Sequence, residues 1–289
     1  MGGVEKVFVN LCLGLDRLGI NYLVNLPFKE LRDDDHVGVL GRGRYSLQGY
    51  DRTNPIVAGI GLMGHPTEWP DLFEQFPVVR YLQHSEWAND VYRRYYGDTC
   101  GIWPVGIDTH SWQPNTNAKD LDILIYDKVR WERPHYEASL IQPIKERLTR
   151  RGLDFTEIRY GYYEETEFRR LLARSKAMIF LCEHESQGLA YQECLSCDVP
   201  IYAWDQGFCL DPDRFKWGNP EIPATSVPYF DARCGEKFKG IDEFETKLDD
   251  FLQRVDKKEF DPRAYVLENL TLERCSRNFM DIFRRDLGP

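Results

Sequence analysis

The feature that most constrains this 289-residue chain is a repeated alternation. Short apolar runs take turns with segments whose apolar residues recur at helical spacing. A run of four to eight aliphatic residues bounded by turn signals suits a strand buried on both faces, and a 3.6-residue apolar period suits a helix laid across it. Strands that alternate with helices imply parallel sheets joined by right-handed crossovers.

In the first part, residues 2–18 carry Val4, Phe8, Leu11, Leu15 and Leu18 at helical spacing, and Gly19 is a stop signal. Residues 21–25 read as a strand, and 38–43 as a glycine-rich loop around a short apolar run. Residues 55–63 (PIVAGIGLM), 78–82 and 102–107 read as strands, and 85–95 as a helix. The polar stretch 111–120, with Pro114, has linker composition. A second alternation follows, with strands expected at 122–126, 155–160, 177–182 and 199–204. Its helices are expected at 136–151, 164–174, 189–196 and 242–255, and 271–283 closes the chain. The expected fold class is α/β with two Rossmann-like domains. Residues 1–113, joined by the C-terminal helix 271–289, form the first, and 114–270 form the second. Such folds bind ligands where strands end and helices begin.

Charge and cysteines narrow the function. The formal net charge is −10, from 47 acidic and 37 basic residues, so nucleic acid is not an expected partner. No run of about 18 apolar residues is present, so no transmembrane helix is expected. The opening MGGVEKVF lacks the basic start and apolar core of a secretory signal. Eight cysteines without a disulfide spacing suit free thiols and a cytoplasmic location. Cys194 and Cys197 form a C-x2-C, but inside a helical segment they read as small hydrophobes, and no metal site is expected. Three Asp-x-Asp strings, at Asp33–Asp35, Asp120–Asp122 and Asp211–Asp213, fall in loop or linker contexts and read as chance in an acidic chain.

The strongest chemical signal is LCEHESQGLAYQECLSCDVPI, residues 181–201. A buried strand runs into a polar loop, then a glycine, a helix start, a helical glutamate and a turn into the next strand. The amides of Gln187, Gly188 and Leu189 open the helix, where unpaired N–H groups and the dipole favour a phosphate. Gly188 lets a ligand approach the backbone closely. Glu185 in the loop and Glu193 two turns into the helix are acceptor-only groups suited to sugar hydroxyls.

This stretch resembles the C-terminal domain of the family-4 (group 1) retaining glycosyltransferases, which have a GT-B fold with a cleft between two Rossmann-like domains. Their E-G-F-G-L-x-x-x-E-A-x-A-x-G-x-P-V pattern stands here as E-S-Q-G-L-A-Y-Q-E-C-L-S-C-D-V-P-I. Both glutamates, the Gly-Leu and the proline are kept; Ser186-Gln187 and Asp198 depart from it. The resemblance extends to Gly2 and Gly3, similar to a G-G-x-E loop whose amides face the donor diphosphate, and to the segment Val105–Asp108 with Pro114. It carries the two phosphate-binding cations onto Lys128 and Arg133, with Arg130 as a rival. Tyr160-Gly161 resembles a loop that touches the nucleobase, which puts Tyr162 and Tyr163 at that wall. His65 stands where the family places an active-site histidine, and His84 is its rival. The family normally has a strand before the Gly-Gly loop, and this sequence opens at that loop.

The resemblance implies a hexosyltransferase-type glycosyltransferase. It would move a sugar from a nucleoside-diphosphate donor to an acceptor hydroxyl with retention, without a metal or other cofactor. Glu185 and His65 would serve at the reacting centre, with Glu185 holding sugar hydroxyls and Glu193 the ribose. The acceptor would be a glycan, a lipid-linked molecule or a small molecule, and peripheral membrane contact is compatible with the absence of a transmembrane run. Two alternatives stay open: a degenerate module that binds nucleotide or glycan without catalysis, and a sugar-nucleotide epimerase of the same fold. Asp205, Gln206 and Gly207 follow a strand end and are expected near Glu185; the second half of the irregular segment 208–230 has no functional reading.

Overall fold

The computed structural model describes residues 3–41, 43–115 and 118–288. They divide into two compact units, one reaching to Gly106 and resuming at Leu270, the other spanning Ile107–Asn269.

The first unit holds α1 (Gly3–Arg17), β1 (Val37–Leu40), β2 (Ile56–Gly59), α2 (Leu72–Gln75), β3 (Val78–Gln83), α3 (Glu86–Tyr96) and β4 (Cys100–Ile102). Its four-stranded sheet runs β1-β2-β3-β4 with all pairs parallel. Ile56, Val57 and Ala58 are fully buried, as a strand covered on both faces requires. Tyr81 stacks on Tyr92 with ring centroids 5.1 Å apart. The C-terminal helix, Leu272–Leu287, returns to this unit and packs on α1. A Cβ on Gly14 would lie 2.0 Å from Ser276 Oγ, so only glycine allows that approach. Trp103 Nε1 donates to the Cys275 carbonyl at 2.9 Å, and Arg80 grips Asp286 with two bonds of 2.7 and 2.9 Å.

Several expectations for this unit are corrected. Residues 21–25 are not a strand: they pair with nothing in a sheet, and Leu23 is 76% exposed. The glycine-rich stretch 38–43 contributes its first half to β1. The apolar run 55–63 pairs only over Ile56–Gly59, because Gly59 (φ 154°) and Ile60 (φ 43°) turn the chain away. The strand expected at 102–107 lies earlier, at Cys100–Ile102, and Trp103 is spent on core packing. Among the described residues, β1 has a single neighbour strand. A cavity of about 910 Å³ lies against it, lined by Phe8, Leu11, Leu15, Val39, Phe279 and Phe283 among others.

The second unit holds β5 (Leu121–Lys128), α4 (Arg133–Tyr136), which passes through a π-turn at Glu137–Ile141 into α5 (Gln142–Arg150), then β6 (Phe155–Arg159), α6 (Glu165–Arg174), β7 (Ser175–Cys182), α7 (Leu189–Ser196), β8 (Ile201–Trp204), β9 (Gly235–Phe238), α8 (Ile241–Asp256) and α9 (Pro262–Asn269). The five strands are ordered β6-β5-β7-β8-β9, all parallel. β5 and β7 are the centre, and their apolar runs are buried almost throughout. One face is covered by α5 and α8, with Ile144, Leu148, Phe244, Leu248 and Phe251 joining Tyr202 and Phe238 in one core.

Two elements escaped the sequence. β9 (GEKF) is a half-polar edge strand with no apolar run, and α9 is too short to show a clear period. The linker-like stretch is anchored at its start: Trp112 is buried against Phe168, with the Arg169 guanidinium 3.7 Å from its ring centroid. Ser196 Oγ and Arg263 Nη1 donate to the Trp112 carbonyl at 2.5 and 3.1 Å.

The Arg80 hydrogen bonds hold the Asp286 carboxyl down at about 2, against an ordinary value of about 3.9. A depressed carboxyl stabilises the fold fully above its unfolded value and ceases to as pH falls through the folded one. Asp286→Asn should therefore lower the urea midpoint at pH 7, and the gap to wild type should close between about pH 4 and pH 2. A gap that does not change with pH would contradict this.

Candidate functional site

The ends of β5 and β7 are adjacent in the sheet, with Lys128 paired to Cys182 in register. Parallel strands deliver the loops that follow them to the same sheet edge, so the turn after Lys128 and the loop after Cys182 meet. Lys128 Nζ forms an ion pair with Glu185 Oε1, and both side chains are largely buried, at 14% and 12% exposed. The ammonium also sits 4.5 Å from the centroid of the Tyr160 ring. Burial alone would push the lysine down, but the Glu185 and Cys182 side chains more than offset it and hold Lys128 above its ordinary value.

Tyrosines surround this pair. The Tyr126 and Tyr163 hydroxyls are 2.7 Å apart. Burial, then the charge of Glu193, opposed by the Tyr126 hydrogen bond and Lys128, leaves the Tyr163 hydroxyl pushed up to about 12. Glu193 is 3% exposed.

Gly188 starts α7 in the left-handed region (φ 84°, ψ 55°), and an added Cβ would meet the Tyr191 ring at 2.1 Å. The preceding loop is stiff. Gln187 and Gln192 exchange hydrogen bonds of 3.0 and 2.9 Å, and the Glu185 amide donates to the Thr225 carbonyl at 3.0 Å. Thr225 Oγ1 in turn donates to Asp205 Oδ2 at 2.9 Å, and Gln206 Nε2 donates to the Glu183 carbonyl at 3.3 Å. Asp205 and Gln206 thus brace the loop that carries Glu185. Asp205 is itself held by Lys237 at 2.9 Å.

The structure joins Lys128 to Glu185 by an ion pair, Gln187, Gly188 and Leu189 follow Glu185 directly into α7, and Glu193 is buried in that helix. It sets the other expected cations apart. Arg133 pairs with Asp127 at 2.5 Å and with Glu137 at 2.7 Å, so its fork is spent inside the protein. Arg130 is exposed and lies 4.1 Å over the Trp131 ring, whose plane stacks on His184. Tyr162 is 77% exposed against Arg159, so the loop after β6 turns Tyr160 and Tyr163 toward Lys128 instead.

In the first unit, Gly3 begins α1, and Gly2 lies outside the described residues. His65 is buried and caps a short 3-10 turn, with Nδ1 2.8 Å from Thr67 Oγ1. Burial lowers its pKa, so the ring is neutral at pH 7. His84 is also buried, with Nδ1 3.2 Å from the Trp103 carbonyl, and burial pushes it down to about 4. In the Asp-x-Asp strings, Asp33, Asp35, Asp120, Asp122 and Asp213 pair with basic side chains, and Asp211 caps the Asp213 amide. Cys194 and Cys197 are buried, and burial raises both thiols, Cys197 to about 12.

Sequence reasoning missed Asp127 and Glu183. Both are carboxylates at or just past the end of an apolar strand, and that position was the available signal. Asp127 Oδ1 accepts from the Val129 amide at 3.0 Å, and Glu183 Oε1 accepts from the amides of Arg130 and Trp131 at 2.6 and 2.9 Å.

Gly188→Ala should cost more than about 1 kcal/mol, because it combines left-handed strain with a clash on Tyr191. Urea denaturation measures it; a neutral substitution would mean that the turn can relax.

No family model matches the chain, and no curated protein matches it. Its fold does recur among solved structures. A point mutant of S. aureus TarM, in complex with fondaparinux, alpha-GlcNAc-glycerol and UDP, matches at TM-score 0.62 and 12% identity, over 96% of this chain and 58% of its own. The pneumococcal O-GlcNAc transferase GtfA, in complex with UDP and GlcNAc, matches at 0.57 and 10%, over 90% and 58%. Sucrose-phosphate synthase from Thermosynechococcus elongatus matches at 0.51 and 11%, over 83% and 70%. The shared architecture is the α/β GT-B fold. This chain spans 58% of the length of the first two structures.

Proposed function

We propose that this chain binds a nucleoside-diphosphate sugar and transfers its glycosyl group to an acceptor hydroxyl. The observation that carries the reading is the Lys128–Glu185 pair, set at two strand ends beside the opening of α7, with Glu193 buried in that helix. A departing diphosphate needs positive charge and oriented donors where its own charge develops. Lys128 supplies the first and the amides of Gln187 to Leu189 the second, with the exposed Arg130 as the second cation in place of the engaged Arg133. Carboxylates at Glu185 and Glu193 suit the donor sugar and the ribose, and Tyr160 and Tyr163 form an aromatic wall.

With two protein cations present, the reading needs no divalent metal, and the resemblance in the Glu-x7-Glu segment supports retention at the anomeric carbon. The UDP in two of the matched structures supports a nucleotide ligand of this class. The acceptor would be a glycan, a lipid-linked molecule or a small molecule. Free thiols at all eight cysteines suit a cytoplasmic setting. The engagement of Arg133 by Asp127 and Glu137 favours one alternative, a module that binds nucleotide or glycan without turnover.

Thermal unfolding against UDP, GDP, ADP and their sugar conjugates, with and without magnesium, tests the reading. A ligand at 100 times its Kd stabilises the folded state by about 2.7 kcal/mol. One nucleotide should raise Tm without magnesium, and Glu193→Ala should abolish the shift. Glu185→Gln should lower donor turnover about 100-fold in protein that is still folded at the assay temperature, as its Tm checks. Binding without turnover in wild type would select the non-catalytic module, and no shift from any nucleotide would overturn the donor site.

A further inference from the structure

Glu183 lies just past the end of β7, two residues before Glu185, and is 0% exposed. The turn after β5 presents three successive amides, from Val129, Arg130 and Trp131. Such a run of N–H groups makes a concavity that binds anions. Here the protein fills it from within: Asp127 takes the first amide and Glu183 Oε1 takes the other two. Glu183 Oε2 has no hydrogen-bond partner among the described residues. The turn begins at Lys128, which pairs with Glu185, and contains Arg130, exposed over the Trp131 ring. It offers a phosphate side chains rather than backbone.

We propose that Glu183 is a positioning residue: by holding the amides of Arg130 and Trp131 it fixes the turn that aims Lys128 and Arg130 at the donor diphosphate. The inference rests on the donor reading above. One carboxylate oxygen that accepts from two successive amides, at 2.6 and 2.9 Å, fixes both residues of the turn at once. Removing the acceptor orphans two partly buried amides and releases the turn without touching Lys128 or Glu185.

The test compares Glu183→Met, which keeps the volume and removes the acceptor, with Glu183→Gln, which keeps an oxygen for the two amides. Two measurements are made on the full chain. One is affinity for whichever of UDP, GDP or ADP stabilises the wild type, with KM and kcat for its sugar conjugate. The other is hydrogen exchange at the Arg130 and Trp131 amides, followed by NMR. The methionine variant should bind the diphosphate about tenfold more weakly and raise KM in proportion, a loss of about 1.4 kcal/mol, with kcat within about threefold of wild type. Its two amides should exchange freely, and the glutamine variant should restore both readouts. If the methionine variant does not fold, Glu183→Asp, which withdraws the acceptor by one methylene, carries the same expectation. Unchanged diphosphate affinity, or a lower Tm with unchanged KM, overturns the proposal. A wild type that binds none of the three nucleotides overturns the donor reading instead, and the exchange rates still show whether Glu183 holds the turn.

Discussion

A carboxylate at the end of a buried parallel strand is stable only when donors or cations close around it. Among those of the second unit are Asp127 at the end of β5, and Glu183 and Glu185 just beyond β7. Each organises something different. Asp127 ties Arg133 and the Val129 amide, Glu183 ties the next two amides, and Glu185 meets Lys128. The turn after β5 and the loop after β7 are thereby built as one object. The position of the only cation that touches Glu185 among the described ion pairs follows from that construction.

The helix start is the second half of the arrangement. The left-handed conformation of Gly188 turns the chain from the loop into α7, and the exchange between Gln187 and Gln192 locks the turn. Ser186-Gln187 replaces the Gly-Phe of the resembled pattern, and the structure gives Gln187 a physical use: its amide pairs within the helix start. The 205–207 segment braces the same loop from the β8 side, through Thr225 and Gln206. The irregular stretch that follows β8 is thus tied to Glu185 by hydrogen bonds.

Most strands and helices of the second unit were legible, because runs such as AMIFLC and ILIY are too apolar for anything but a central parallel strand. The same logic misread residues 21–25, where Tyr22, Leu23 and Val24 have strand propensity but no neighbouring strand to pair with. It missed β9, whose edge position leaves it half polar. In the site, the Glu185 to Glu193 segment was readable from residue types and spacing. The division of labour among Lys128, Arg130 and Arg133 was not. It depends on Asp127 and Glu137, which compete for Arg133, and on Tyr160, which lies under Lys128. The Arg133–Glu137 pair has a readable i,i+4 spacing, but Lys128 and Tyr160 are 32 positions apart and no local pattern announces their contact.

The most direct test of a donor diphosphate at the ends of β5 and β7 is a crystal structure of the full chain with the stabilising nucleoside diphosphate bound. The account predicts a phosphate within hydrogen-bond distance of Lys128 Nζ and of the amides that open α7, with Glu185 released from Lys128. A nucleotide bound elsewhere, with Lys128 still paired to Glu185, would contradict it.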